Sequence, residues 1–162
     1  MTLIIRPATP ADAAAISAIH IDARCQAYAD LMSPEALSAM IAEVTLEKWA
    51  NRLRYWKGWG LVAVENGGTI IGFVYTAPNH EGRPGVGDIE ALHVDPAHQG
   101  TGVGERLLDA GLEVLAQQGF SAFELWVLEG NERAIQFYLK RGWRPDGERA
   151  HEFGGDFLRF VF

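Results

Sequence analysis

A single cysteine, Cys25, stands in 162 residues. One thiol cannot close an internal disulfide, so this is no stapled secreted scaffold, and a reducing compartment is expected. Basic residues are in the minority, 14 Lys and Arg against 21 Asp and Glu, for a formal charge of −7. That excludes the basic face of a nucleic-acid binder and the polybasic patch of a membrane anchor. No window reaches the ~18 uncharged apolar residues of a membrane helix. At the start, Arg6, Pro7 and Asp12 interrupt anything resembling a signal-peptide core, so cytoplasmic residence is expected. Repeats and low-complexity tracts are also missing.

What is present is the composition of a globular protein, 48% apolar and 22% charged. A chain of this length buries about 68–70% of its unfolded surface and needs no metal or disulfide to fold. One domain over residues 1–162 is expected. Leu3 to Arg6 reads as a strand. Thr9-Pro10-Ala11-Asp12 is a helix start, with Thr9 as cap and Pro10 at the first position; the helix runs to about Ala23. Ser33-Pro34-Glu35 repeats that signal before a second helical region, whole or broken once, towards Arg54. Leu61 to Glu65 and Thr69 to Thr76 form a hairpin across Asn66-Gly67-Gly68, residues that accept positive φ cheaply. A loop over Pro78 to Gly87 leads to a strand from Asp88 to Val94. An amphipathic helix follows from about Gly102 to Gln118, with Val103, Leu107, Leu108, Leu112 and Leu115 on one face. Phe123 to Leu128 is a buried strand, Asn131 caps a helix ending at Gly142, and a final hairpin turns at Gly154-Gly155. The order β-αα-βββ-α-β-α-ββ predicts an α/β (α+β) fold. Its mixed central sheet is flanked by about four helices and contains at least one parallel pair.

The segment that carries chemistry is the turn after the Asp88–Val94 strand. Gly100, Gly102 and Gly104 put three glycines in five residues at a helix start. A helix N-terminus leaves N–H groups unpaired at a positive dipole end, and glycine lets an anion approach them without a Cβ in the way. A tight strand-to-helix turn is the plain alternative, but it needs fewer glycines. A dinucleotide fingerprint, G-x-G-x-x-G, fails at Glu105 from Gly100 and at Leu107 from Gly102; a P-loop fails for want of Gly-Lys-Ser or Gly-Lys-Thr. Gln99-x-x-Gly102-x-Gly104 remains.

This segment, after the strand Glu90-Ala91-Leu92-His93-Val94-Asp95-Pro96, resembles the signature [RQ]-x-x-G-x-[GA] of the GNAT superfamily of N-acetyltransferases. Asn131-x-x-Ala134-x-x-Phe137-Tyr138-x-x-x-Gly142-Trp143 resembles the family's next motif, and the element order fits its fold. The resemblance implies acetyl-CoA as co-substrate. Gln99, Gly100, Thr101, Gly102, Val103 and Gly104 would hold its pyrophosphate. The strand Leu92-His93-Val94 would lie along its pantetheine arm, with backbone bonds at Leu92 and Val94, and Asn131 and Ala134 would flank the cofactor. It further implies Glu90 as general base, directly or through water, and Tyr138 as the group that protonates the departing thiolate. The acceptor would be a small-molecule amine or a peptide, and the resemblance also allows a homodimer.

The residues carry readings of their own. Asn131, Ala134 and Tyr138 are spaced to share one helix face, on which Tyr138 is either a core aromatic or a phenol reaching a groove. Glu90 interrupts an apolar strand, where a carboxylate is costly unless it is paired or functional. Strict alternation places Glu90 with Leu92 and Val94, and Ala91 with His93; a bulge would break that parity. His80, His93 and His98 lack metal-site spacing, so no metal is expected. Cys25 reads as a packed thiol, and Trp49, Trp56, Trp59 and Tyr55 as core or pocket wall. The expected activity is transfer of an acetyl group from acetyl-CoA to a primary amine by direct attack in a ternary complex. The alternatives are a non-catalytic acyl-CoA-binding sensor and an enzyme acting on protein N-termini or lysines.

Overall fold

The computed structural model describes residues 2–162. Seven strands form one sheet: β1 (Leu3–Pro7), β2 (Trp59–Glu65), β3 (Thr69–Pro78), β4 (Val86–Val94), β5 (Ala122–Leu128), β6 (Arg144–Glu152) and β7 (Gly155–Val161), in the spatial order β1-β2-β3-β4-β5-β7-β6. Five α-helices accompany it: α1 (Ala13–Tyr28), α2 (Pro34–Ala42), α3 (Leu46–Tyr55), α4 (Val103–Gln117) and α5 (Glu132–Lys140). All neighbouring strands are antiparallel except β4 and β5, which α4 joins as a parallel pair. The mixed sheet and its parallel crossover match the sequence expectation.

About four helices are expected and five are present, because the second helical region takes its break. The region from Ser33 to Arg54 divides because α2 stops at Ala42 and Thr45 starts α3, its side chain accepting a hydrogen bond from Lys48 N at 3.1 Å. A second Thr signal, at Thr9, opens a short 3-10 turn, Pro10–Asp12, with a reciprocal cap between Thr9 and Asp12. From there α1 continues past Ala23 to Tyr28, since nothing in that stretch breaks a helix.

The sheet separates two cores. On one face, Val103, Leu107, Leu108 and Leu115 of α4 and Tyr138 of α5 pack on Val74, Ile89, Leu125 and Phe160. On the other, Ile16 and Ile19 of α1 and Trp49 of α3 pack on Val62, Phe73, Tyr75 and Ala91. Strand β3 is buried from Ile71 to Ala77, as a central strand covered on both faces must be.

The last hairpin turns one residue earlier than expected. Phe153 (φ 50°) and Gly154 (φ 75°) are the loop, both with positive φ, as a two-residue I′ turn requires. Gly155 serves close packing instead, since a Cβ there would stand 2.8 Å from Leu128 Cδ1. Cys25 is exposed, contrary to the packed-thiol expectation, because α1 turns Ala23 inward and carries Cys25 round to solvent.

Candidate active site

The sheet opens in its middle. Strands β4 and β5 pair only at Val86–Ala122, Gly87–Phe123 and Asp88–Glu124. From Ile89 onward β4 keeps β3 on one edge and has no strand on the other, while β5 pairs with β7 as far as Leu128. A polar clasp sits where they part. The Asn79 amide donates to Asp88 Oδ1 at 2.8 Å and to Glu124 Oε1 at 2.7 Å, Arg83 pairs with Glu124, and His80 Nδ1 lies 2.9 Å from Asp88 Oδ2. His80, Asp88 and Glu124 converge within 4.8 Å. Both carboxylates are nevertheless satisfied by Asn79, His80 and Arg83, as buried anions must be.

Glu90 occupies a β-bulge. Tyr75 opposes Ala91 and the next residue, Thr76, opposes Ile89, so Glu90 is the extra residue on β4. This breaks the strict alternation. Ile89, Leu92 and Val94 face α4, whereas Ala91 and His93 face α1. The Glu90 carboxylate, instead of joining Leu92 and Val94, lies 4.0 Å from the Arg52 guanidinium of α3. Its side chain is 26% exposed. Burial raises its pKa, and the Arg52 charge opposes that rise. Arg52 is itself held over the rings of Trp49, Trp56 and Tyr75, at 4.9, 5.1 and 5.1 Å.

His93 packs against His20 of α1, with ring centroids 4.7 Å apart. Burial, reinforced by the Arg24 charge, lowers the His93 pKa to about 3, so the ring is neutral. His20 is pushed far below its ordinary range, also chiefly by burial. Its Nδ1 accepts from the Trp49 indole N–H at 3.2 Å. That bond places the ring proton on Nε2, which is buried without a partner.

On the opposite face, Gly100 (φ +75°) and Gly102 (φ +89°) turn the chain into α4. Gly102 is the N-cap and offers no side chain, so the first-turn N–H groups are left for another partner. A Cβ on Gly104 would meet Phe137 and Val94 at 3.7 Å, ordinary contact; its lack of one keeps the surface beside the helix end open. Asn131 caps α5, its oxygen accepting from Ala134 N at 3.4 Å. The Tyr138 ring belongs to the core beside Trp143 and Phe160, and burial raises its pKa well above the ordinary phenol value. No protein group bonds its hydroxyl among the described residues.

Two cavities meet at the parting of the strands. The first, about 1330 Å³, runs along β4 and α5; the second, about 820 Å³, lies beneath α1 and α3. Leu92, His93, Val94, Gln99, Gly100, Gly104, Asn131, Ala134 and Tyr138 line the first, and Glu90 lines both. Thr101, Gly102 and Val103 line neither. Thr101 turns its hydroxyl to the His98 carbonyl at 2.5 Å, and Val103 is 1% exposed in the core, so their side chains serve the turn. The expected Trp cluster is divided: Trp49 is core, Trp56 walls the second cavity, and Trp59 packs with Phe120. Arg24 and Phe153 line both cavities without any sequence signal, being a lone Arg on an Ala-rich helix and a turn residue.

The sequence model of the Acetyltransferase (GNAT) family matches residues 20–143. The chain belongs to the GNAT family. It is 30% identical to an uncharacterized N-acetyltransferase, YuaI, of Bacillus subtilis, over 97% of the chain and 89% of that relative. Over 83 residues, 51% of the chain, it is 41% identical to a mycothiol acetyltransferase of Propionibacterium freudenreichii, of which the match covers 26%. The chain thus spans about a quarter of the length of that curated relative. In fold it resembles the PaiA N-acetyltransferase of Thermoplasma acidophilum solved with coenzyme A (TM-score 0.81, 19% identity, 98% of both chains).

The GNAT co-substrate, acetyl-CoA, carries an anionic end, an amide-bearing arm and a thioester. The residues suit each part. Uncapped N–H groups of α4 suit the anion, the unpaired edge of β4 suits the amides, and the meeting of the cavities suits the acyl group. No helix among the described residues is long and apolar enough to cross a membrane.

Proposed function

We propose that residues 1–162 act as one N-acetyltransferase domain that moves an acetyl group from acetyl-CoA to a primary amine within a ternary complex. The observation that carries this reading is the place of Glu90, on a bulge where a cavity suited to the donor and a cavity suited to the acceptor share a wall. Bound acetyl-CoA would supply the acetyl thioester. Glu90 takes the ammonium proton as the nitrogen attacks; its raised pKa brings it closer to the amine it must deprotonate. The unpaired N–H groups of β4 polarise the thioester carbonyl. Tyr138, which burial keeps in its protonated form, presents its hydroxyl to the departing sulfur. Gln99, Gly100, Gly104, Asn131 and Ala134 hold the donor along α4 and α5.

The test is release of free thiol from acetyl-CoA across amine classes: polyamines, aminoglycosides, amino acids and peptides. Turnover with any class, together with loss of turnover in Glu90→Gln, supports the reading. Tight acetyl-CoA binding without turnover on any amine would point to a binding module instead.

A further inference from the structure

One cation on the wall of the second cavity is left without an ion pair. Lys48 pairs with Glu43 at 2.5 Å. Asp88 and Glu124 are taken by Asn79, His80 and Arg83. Glu90 has Arg52 at 4.0 Å. Arg24 remains, at the wall shared by both cavities, with no carboxylate in ion-pair range among the described residues. Its Nε is buried and has no hydrogen-bond partner. Glu152, on the same wall, is near enough to favour its charge but forms no ion pair with it. A guanidinium nitrogen removed from water and left without a partner is costly, and burial lowers the Arg24 pKa.

The donor's phosphates are an unsuitable partner. The donor's anionic end is assigned to the uncapped N–H groups of the turn from Gln99 to Gly104, which lines only the first cavity, whereas Arg24 lies on the wall that the first cavity shares with the second. We propose that Arg24 binds the anionic oxo-acid group of the acceptor, which is therefore an amine bearing its own carboxylate, or a phosphonate in its place, as in an α-amino acid. This rests on the transferase reading above and names its acceptor. Glu90 lines the same two cavities as Arg24, so the acceptor's ammonium is assigned to Glu90 and its acid group to Arg24. Trp56 and Phe153, 63% and 39% exposed, offer apolar surface for a side chain. Polyamines are disfavoured, because a second ammonium would meet Arg24 and Arg52.

The experiment is thiol release by the wild-type chain with matched acceptors: the standard α-amino acids, their amides, their decarboxylated amines, the corresponding aminophosphonates, and spermidine. The acids or the phosphonates should exceed the matched amides in kcat/KM by about ten- to a hundredfold, as a charge-assisted contact to Arg24 would give. The better of those two arms identifies the oxo-acid. Arg24→Gln should bring the acid-to-amide ratio towards one by raising KM for the acid, and Arg24→Lys should retain part of the preference. Amides, plain amines or spermidine used as well as the acids would overturn the proposal and leave the transferase reading intact. So would an acid preference that Arg24→Gln leaves unchanged. If Arg24→Gln does not fold, the wild-type ratio decides alone. Normal acetyl-CoA binding with no release from any acceptor would overturn both readings.

Discussion

The two faces of the sheet prepare for charge by opposite means. On the α4–α5 face the polar groups are backbone: uncapped N–H groups at a helix start, reached past glycines, over a core of Leu, Val and Trp. On the α1–α3 face they are side chains: Arg24, Arg52, Glu90 and two neutral histidines, set among Trp49, Trp56 and Tyr75. A backbone site is the same for every member that keeps the turn, so it suits an invariant ligand. A site made of side chains can change one residue at a time, so it suits the ligand that varies. The bulge at Glu90 is the point where the first kind of surface gives way to the second.

The sharpest break of the backbone face is Gly102→Val. At φ +89° a β-branched residue is strained, and relaxing the turn re-aims the α4 N–H groups. Loss of two charge-assisted hydrogen bonds at ~1.5–3 kcal/mol each should weaken acetyl-CoA binding by ~10²–10⁴-fold. Gly104→Ala is the control: its new methyl meets Phe137 and Val94 at 3.7 Å without backbone strain, so the loss should be smaller. Calorimetric titration of both variants measures this. Unchanged affinity in a folded Gly102→Val protein would remove the anion site.

Glu90→Gln breaks the other face. Turnover at neutral pH should fall by ~10²–10⁴-fold while acetyl-CoA affinity stays close to wild type. The deficit should shrink at high pH, where the amine is already deprotonated. In the wild type the kcat/KM profile should fall on the acid side at a pH above the ordinary carboxylate range, because burial has raised the Glu90 pKa. Arg52→Gln removes the opposing charge and should move that limb higher still. A limb unmoved by Arg52→Gln would separate Glu90 from catalysis.

Legibility follows the same division. The turn from Gln99 to Gly104 and the motif from Asn131 to Trp143 could be read because glycine positions and helix spacing are local requirements. The course of the strands could be read for a similar reason, since alternation and turn residues act over a few positions. The second cavity could not. Arg24, Arg52, Trp126 and Phe153 come from α1, α3, β5 and the last hairpin turn, and no spacing relates them. The bulge escaped the alternation rule because one inserted residue leaves no mark in the pattern except the misplaced charge itself. Glu90 was that mark.

Tyr138 belongs to both descriptions, with its ring in the core and its hydroxyl towards the cleft. Tyr138→Phe retains the contacts with Trp143 and Phe160 and removes one oxygen. A role in thiolate departure predicts a kcat loss of about 10²-fold, the lower end for a general acid, with melting temperature and acetyl-CoA affinity nearly constant. A purely packed phenol predicts the converse, with kcat within about threefold of wild type and a stability change of at most ~1 kcal/mol. Measuring kcat, affinity and melting temperature on this one variant decides between them.

The last effect expected is on stability, and it comes from the histidines of the α1–α3 face. His20 and His93 are neutral in the fold, with pKa values pushed down by burial, that of His93 to about 3. In the unfolded chain each returns to about 6.5, so between these values the unfolded state binds more protons. Stability is therefore complete above pH ~6.5 and declines as pH falls, by at most ~1.4 kcal/mol per pH unit for each histidine. Acidic groups held down by Arg partners, such as Asp12 beside Arg6, lose their contribution only near and below pH ~4. Unfolding free energies from urea titrations at pH 7 and pH 5 should thus differ by up to ~2 kcal/mol per buried histidine, and His93→Leu should reduce the difference. Equal midpoints in the wild type would mean that the pair is hydrated and charged in solution, and the contrast between the two faces would not extend to their interiors.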